Sequence, residues 1–164
     1  MTVRGFHSYD AAAVARVFRE AVLITGAAAY TPEQLRVWAN AADDEAALAQ
    51  RLTHGTTLVA EDNDGIVAAF GQREPAGHIA YLYCAPRFGR QGVASRIFRP
   101  LESTAMTEGI PRLTTDASHG ARPFFTRHGF TEVRSERVSR GGVELERFLM
   151  VKNLFHSPNA GCHR

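Results

Sequence analysis

The chain has 164 residues, of which 45% are hydrophobic and 22% are charged. This length predicts one domain, and the balance excludes a mostly disordered chain, a collagen-like repeat and a coiled coil. The apolar runs fall far short of the roughly 18 residues that a membrane span needs, and no long apolar segment follows Met1. We therefore expect a cytoplasmic protein with no membrane partner and no signal peptide.

The formal net charge is +2, and the arginines are spread along the chain rather than clustered. A nucleic-acid-binding domain usually carries a basic stripe or patch, so we expect no nucleic-acid partner. The mild positive excess favours an anionic small ligand.

The two cysteines, Cys84 and Cys162, do not make a disulfide framework. Cys84 lies in an apolar run and is predicted to be a buried thiol, since an attacking thiolate would need a basic neighbour. His156, Cys162 and His163 are a weak metal-binding signal because they share one terminal segment. We expect no metal and a flexible tail over residues 155–164.

The first half of the chain predicts a strand and three helices. A strand over Thr2–His7 is followed by a helix that Ser8 caps, and an apolar stripe runs along that helix from Val14 to Val22. Thr31, Pro32 and Gln34 form a capping box that begins a second helix. An alanine-rich helix covers about Asp44–Thr53.

Three strands should follow. Asp64 and Gly65 are typical of a tight turn, and they join strands over Thr56–Asp62 and Ile66–Arg73. The run His78–Ala85 has no polar alternation, which predicts a central strand buried on both faces.

The remaining elements are a helix, a strand, a short helix and a closing hairpin; their predicted ranges are Gly92–Glu108, Arg112–Asp116, Ala121–His128, Thr131–Val138 and Val143–Val151. This order places a strand-helix-strand unit in the middle of the chain. It predicts a mixed sheet with helices on both faces. The exposed edge of the closing hairpin would allow a homodimer.

The loop between the central strand and the long helix carries Arg87, Gly89, Arg90 and Gly92. The first amides of a helix have no internal partner and favour an anion, and glycines allow a close approach to the backbone. The loop therefore predicts a phosphate or diphosphate site, although an ordinary turn with solvated arginines stays open. It fits neither a P-loop nor a dinucleotide fingerprint, because the lysine of the first and the glycine spacing of the second are missing.

Two motifs resemble the GNAT-type acetyl-CoA-dependent N-acetyltransferases. The window Gly89–Ala94 is similar to the family's Arg/Gln-x-x-Gly-x-Gly/Ala loop, with Gly89 in place of the first Arg or Gln. The segment Ser118–Phe130 is similar to the family's Asn-x-x-Ala-x-x-Leu/Phe-Tyr…Gly-Phe segment, with Ser118 for Asn and Phe125 for Tyr. The resemblance covers about Val3–Leu154, including amphipathic helices before the first hairpin.

The resemblance implies an α/β (α+β) fold: a mixed, mostly antiparallel twisted sheet of about seven strands with helices on both faces, in one domain over residues 1–154. It implies transfer of an acetyl group from acetyl-CoA to a primary amine of a small molecule or peptide by direct attack in a ternary complex. The implied cofactor-binding residues are Leu82, Tyr83, Cys84, Arg87, Gly89, Arg90, Gln91, Gly92, Val93, Ala94, Ser95, Ser118, Ala121, Phe124 and Phe125.

The tyrosine that Phe125 replaces is, in many relatives, the acid that protonates the departing thiolate. A non-catalytic acyl-CoA-binding module is therefore the alternative function. If the chain is an enzyme, its reaction needs oxyanion donors, for which the amides of Leu82, Tyr83 and Cys84 are candidates.

The candidate catalytic side chains are Tyr83, His119 and Glu74, with His78 and Asp116 near the same strand ends. Tyr81 and Tyr83 alternate along the central strand and should share one face. Tyr30, Trp38 and Tyr81 are candidate acceptor-binding residues. The alternatives are a solvated loop for His119, a surface carboxylate beside Arg73 for Glu74, and core packing for the aromatic residues.

Overall fold

A computed structural model describes residues 1–155 of the chain. The strands are β1 (Thr2–Gly5), β2 (Thr56–Glu61), β3 (Val67–Arg73), β4 (His78–Cys84), β5 (Arg112–Ala117), β6 (Thr131–Arg140) and β7 (Val143–Asn153). The helices are α1 (Ala11–Glu20), α2 (Pro32–Ala39), α3 (Glu45–Leu52), α4 (Val93–Thr107) and α5 (Arg122–Arg127). The candidate metal ligands of the tail, His156, Cys162 and His163, lie outside the described residues.

The strands form one seven-stranded sheet in the order β1-β2-β3-β4-β5-β7-β6. Only the β4–β5 pair is parallel within the described part of the chain, because α4 crosses over between these two strands; the other pairs are antiparallel. The predicted mixed, mostly antiparallel sheet is confirmed. β6 lies at one edge of the sheet, as the closing hairpin predicted, and a homodimer through that edge stays a prediction.

Helices cover both faces of the sheet. One buried cluster lies under α1, α2 and α3 and includes Val14, Phe18 and Phe70; the other lies under α4 and α5 and includes Ile97 and Phe98. The apolar stripe of α1 is fully buried, as its spacing predicted. Each face of the sheet therefore has its own apolar core.

The beginnings of two N-terminal helices test the capping predictions. The Thr31–Gln34 capping box at the start of α2 is confirmed. The cap by Ser8 is wrong: a turn of 3-10 helix over Ser8–Asp10 precedes α1, and the Asp10 carboxylate accepts hydrogen bonds from the His7 amide at 2.8 Å and from Arg4 at 2.9 Å. Burial alone raises the pKa of Asp10, but these donors hold that pKa below its usual range.

Strand β4 is not buried on both faces, in contrast to the prediction. Ile79 is buried, but the other six residues of the strand are only half-buried. The reason is that β4 pairs with β5 over only two residues, so that most of the strand borders an open cleft.

Each helix in the described part of the chain falls short of the length and hydrophobicity of a membrane-spanning segment.

Candidate active site

The cleft begins where β4 and β5 separate. The register pairs His78 with Thr114 and Ile79 with Thr115 and then ends, and the Thr115 hydroxyl donates to the Ile79 carbonyl at 3.0 Å. On the other side of β4 the register with β3 shifts, so that Ala80 is an extra residue. A bulge of this kind bends a strand. The C-terminal half of β4 thus has a free backbone edge toward β5.

The direction of the β4 amides follows from a hydrogen bond just beyond the strand. The Ala85 amide donates to the Ala68 carbonyl at 2.8 Å, and Cys84 lies opposite Ala69. In an antiparallel pair, residues alternate between facing the partner strand and facing away. The amides of Leu82 and Cys84 therefore face the cleft, whereas the Tyr83 amide faces β3. The prediction of Tyr83 as a backbone oxyanion donor is wrong for this reason.

The start of α4 has free amides. The first helical hydrogen bond runs from the Arg96 amide to the Gly92 carbonyl at 3.2 Å, and no side chain caps this end among residues 1–155. The amides of Val93, Ala94 and Ser95 are consequently left without a helical partner. Gly92 has φ +76°, and a Cβ placed on it would meet no atom within 4 Å. The space beside Gly92, at the start of the helix, is therefore open.

The two arginines of this loop have different surroundings. Arg90 has φ +59°, a left-handed conformation that costs a residue with a Cβ about 1 kcal/mol or more. The Arg87 guanidinium lies over the Phe88 ring at 4.5 Å and 3.8 Å from the Asp62 carboxylate. In this arrangement Arg87 pairs with the β2–β3 turn, and its contact with an anion stays a prediction.

The second motif packs beside α4, where the Phe124 ring contacts the Phe98 ring at 6.0 Å between centroids. The Ser118 hydroxyl accepts a hydrogen bond from the Ala121 amide at 3.2 Å just before α5. Phe124 is half-buried, but Phe125 is only 3% exposed and packs against Phe98 and Phe130. The ring of Phe125 is part of the core, which disfavours a contact with the cofactor, and that contact stays a prediction.

A cavity of about 680 Å³ opens on the other face of the sheet, under the N-terminal helices. Its volume lies in the range of small-molecule sites. Five aromatic side chains line it, which are Phe18, Tyr30, Trp38, Tyr81 and Tyr83. The structure thus confirms that Tyr81 and Tyr83 share one face, and it brings all three candidate acceptor-binding residues together.

The Tyr83 phenol lies among apolar rings. The ring of Phe18 is 4.8 Å away and that of Trp38 is 6.5 Å away, measured between centroids. Burial raises the pKa of Tyr83 well above its ordinary value. The hydroxyl therefore stays protonated at neutral and moderately alkaline pH.

His119 contacts two residues that line the cavity. Its Nε2 lies 2.8 Å from the Glu146 carboxylate, and its backbone amide donates to the Tyr30 hydroxyl at 3.1 Å. Tyr30 in turn donates to the Glu146 carbonyl at 2.8 Å, and burial raises the pKa of Tyr30. These contacts hold His119 in one orientation, although 36% of its side chain is exposed.

Glu74 lines the same cavity, together with a second histidine–carboxylate pair. Arg73 pairs with Glu108 at 3.0 Å on the opposite side of the sheet, so it is not the partner of Glu74. His78 Nε2 lies 3.4 Å from Asp116, and its Nδ1 lies 2.8 Å from the Thr114 hydroxyl.

Sequence reasoning missed several residues of the cavity, which include Arg51, Gln72, Arg140, Glu146 and Arg147. Arg51 donates to the Tyr81 hydroxyl at 3.2 Å, and Gln72 is buried and donates to the Arg51 carbonyl at 2.7 Å. The capping box was the one sequence signal that pointed toward this region. It fixes the start of α2, and its Gln34 side-chain amide donates to the Glu144 carbonyl of β7 at 2.8 Å, so α2 lies near β7.

Cys84 is a free, half-buried thiol whose pKa is raised by burial. A raised pKa keeps the thiol protonated, which disfavours the nucleophile interpretation. Residues 1–155 contain no group of three or more His, Cys, Asp or Glu side chains arranged to hold a metal ion.

Comparisons with known proteins agree on one family. The sequence pattern of the acetyltransferase (GNAT) domain matches residues 26–151. The chain is 32% identical over 148 residues to the uncharacterized N-acetyltransferase YafP of Escherichia coli K12, an alignment that covers 90% of this chain and 93% of YafP.

Solved structures are also similar. A GCN5-related N-acetyltransferase from Rhodopseudomonas palustris, also described as a class-II aminotransferase, has a TM-score of 0.89 at 34% identity, covering 93% of this chain and 94% of that one. The PaiA N-acetyltransferase of Thermoplasma acidophilum, solved in complex with coenzyme A, shares the fold, with a TM-score of 0.73 at 18% identity and coverages of 93% and 98%. By sequence and by fold, the chain belongs to the GNAT family of N-acetyltransferases.

Proposed function

We propose that the protein transfers an acetyl group from acetyl-CoA to a primary amine of a small molecule or peptide, within a ternary complex. The observation that carries the proposal is the cleft that opens where the pairing of β4 with β5 ends at Ile79 and Thr115. The uncapped start of α4 and the cavity under the N-terminal helices accompany it. This arrangement suits two substrates that meet at one carbonyl carbon.

The residues fit the cosubstrate. The diphosphate of CoA would be held by the amides of Val93, Ala94 and Ser95, with Arg90 adding positive charge. The pantetheine arm would pair with the free edge of β4 and lie against Ser118, Ala121 and Phe124. Held in this way, the thioester carbonyl oxygen would face the Leu82 and Cys84 amides, which are donors for the oxyanion.

Three side chains handle protons in this proposal. Glu74 attracts the ammonium form of the acceptor into the cavity and takes, through water, the proton that this ammonium must lose before it can attack. The neutral acceptor nitrogen then attacks the thioester carbon, the C–N bond forms and the C–S bond breaks. His119, oriented by Glu146, takes the second proton that the nitrogen releases, and the Tyr83 hydroxyl donates a proton to the leaving thiolate. Tyr83 thereby fills the role that Phe125 leaves vacant.

The shape of the cavity limits the acceptor. The aromatic wall of Phe18, Tyr30, Trp38, Tyr81 and Tyr83 would cover an apolar or flat body of the acceptor. The carboxylates Glu74, Asp116 and Glu146 line the same space, but Arg51, Arg140 and Arg147 line it as well, so the lining charges balance. We therefore infer an amine attached to an apolar or flat body, and the net charge of the lining does not select its charge.

The test is release of free thiol from acetyl-CoA with a panel of amines that includes arylalkylamines, alkylamines, polyamines and short peptides. We expect turnover with at least one apolar amine. Calorimetry with CoA, run in parallel, separates the two functions suggested by the sequence. Binding without thiol release across the panel would support the non-catalytic module, and no binding would contradict both.

A further inference from the structure

His128 has no part in the proposed chemistry, but its ring reaches the start of α4. It follows α5 directly, and its Nε2 lies 3.0 Å from the Ser95 hydroxyl. Its Nδ1 lies 2.8 Å from the Phe124 carbonyl. The ring stacks on Phe124 at 4.1 Å between centroids, with the edge of Phe98 at 5.2 Å. These contacts hold the imidazole in one orientation.

The Phe124 carbonyl determines which nitrogen carries the proton. A carbonyl only accepts, so Nδ1 must be the protonated nitrogen of the neutral ring. Nε2 then has a lone pair, and the Ser95 hydroxyl is the group that donates to it. In this state the Ser95 hydrogen points toward His128, and the hydroxyl oxygen offers only lone pairs to a ligand at the α4 amides.

A second proton on His128 reverses this hydrogen bond. Nε2–H then donates to the Ser95 oxygen, and the Ser95 hydroxyl is free to donate to a phosphate oxygen. The cationic ring also adds a positive charge near the free amides, because only the Ser95 side chain separates the ring from them. An anion at the start of α4 and a proton on His128 should therefore favour each other.

Among the described residues, the charged groups around His128 do not provide a free negative partner for its protonated ring. From β7, the Lys152 ammonium donates to the His128 carbonyl at 2.6 Å and pairs with Glu102 of α4 at 2.7 Å, which neutralises both. On α5, the neighbouring Arg127 is exposed, and on α4, Arg96 and Arg99 are exposed as well. A bound diphosphate is the negative group that would change the charge balance at Ser95.

We propose that His128 is a positioning residue for the diphosphate of CoA, which takes up a proton when CoA binds and turns the Ser95 hydroxyl toward the anion. This inference rests on the proposed function, because it needs CoA at the α4 amides. It predicts that the protein binds CoA more tightly as the pH is lowered, because the proton on His128 and the bound anion favour each other.

The test is calorimetry of CoA binding between pH 5.5 and 8.5, in two phosphate-free buffers with different ionisation enthalpies. The wild-type protein should take up a proton on binding near neutral pH, and its affinity should fall about tenfold across this range. The 3′-phosphate of CoA also titrates near pH 6. The measurement is therefore repeated with 3′-dephospho-CoA, and the readout is the difference between wild type and His128→Gln.

The His128→Gln variant retains a hydrogen-bonding group but cannot titrate, so its affinity should be weaker at acidic pH and nearly independent of pH. Ser95→Ala should lose the part of the pH dependence that acts through the hydroxyl and keep the part that comes from the charge of the imidazole. His7→Gln, which lies outside both sites, is the matched control and should behave as wild type. Equal proton uptake by wild type and His128→Gln would overturn the inference and leave the proposed function standing. No binding of CoA by the wild type would contradict the proposed function itself.

Discussion

The two sides of the cleft are built in different ways. The cofactor side depends on backbone groups of consecutive residues, the loop Gly89–Gly92 and the first turn of α4. The acceptor side depends on side chains that come from distant segments, such as Phe18, Trp38 and Glu146. A backbone site tolerates many side chains, and Gly89 in place of Arg or Gln is an example. A side-chain site changes its chemistry whenever one contributing residue changes.

The two sides also differ in how their charges are balanced. At the start of α4 the amides and Arg90 are available to an anion that comes from outside. On the acceptor side, His78 lines the cavity with a carboxylate oxygen of Asp116 at 3.4 Å, and His119, next to the cavity, has a carboxylate oxygen of Glu146 at 2.8 Å, so each carboxylate already has a partner within the protein. In the proposed function, the first arrangement suits the binding of a charge and the second suits the transfer of a proton.

The largest effect should come from His119→Gln. If His119 takes the proton of the acceptor, kcat should fall about 100-fold. KM for acetyl-CoA should change little, because the α4 amides are intact. The variant His78→Gln is the comparison, since it removes the other histidine–carboxylate pair. A larger loss of kcat in His78→Gln than in His119→Gln would contradict our proposal and assign the proton transfer to His78.

Gly92→Ala should weaken CoA binding about thirtyfold, which corresponds to about 2 kcal/mol of lost charge-assisted hydrogen bonding. The new Cβ would lie where the anion approaches. Gly65→Ala is a matched control: Gly65 has φ +78°, a Cβ there also meets nothing within 4 Å, and it lies in the β2–β3 turn. Both variants should lose similar thermal stability, so a difference in calorimetric Kd isolates the cofactor site. Equal Kd values would contradict a diphosphate at the α4 amides.

Tyr83→Phe should lower kcat about tenfold, because the thiolate would leave without a hydrogen-bond donor. The pKa of Tyr83 is raised by burial, so wild-type kcat should not fall between pH 7 and pH 9 through ionisation of this phenol. Tyr9→Phe is the control, since Tyr9 is 75% exposed and lies outside the cavity. An unchanged kcat in Tyr83→Phe would remove this hydroxyl from the mechanism.

The fold and the cofactor loop followed from the sequence because they depend on local signals. Capping residues, turn glycines and apolar spacing lie within a few positions of the elements that they determine. The acceptor side did not follow. The pairing of His119 with Glu146 depends on how β7 is aligned with β5, and the half-buried state of β4 depends on where its pairing with β5 ends. No short stretch of sequence encodes either distance.

Phe125→Tyr tests whether the family motif or the burial of this position determines what residue 125 does. It should have the smallest effect on kcat. The change restores the family's usual tyrosine, but Phe125 is 3% exposed and surrounded by Phe98, Phe124 and Phe130. A hydroxyl buried among these rings lacks a partner, so we expect no gain in kcat and a loss of about 1–3 kcal/mol in the free energy of unfolding. Denaturant unfolding and thiol release measure the two quantities. An increase in kcat without loss of stability would mean that position 125 faces the cleft during turnover, and that the acid role belongs to the cofactor side rather than to Tyr83.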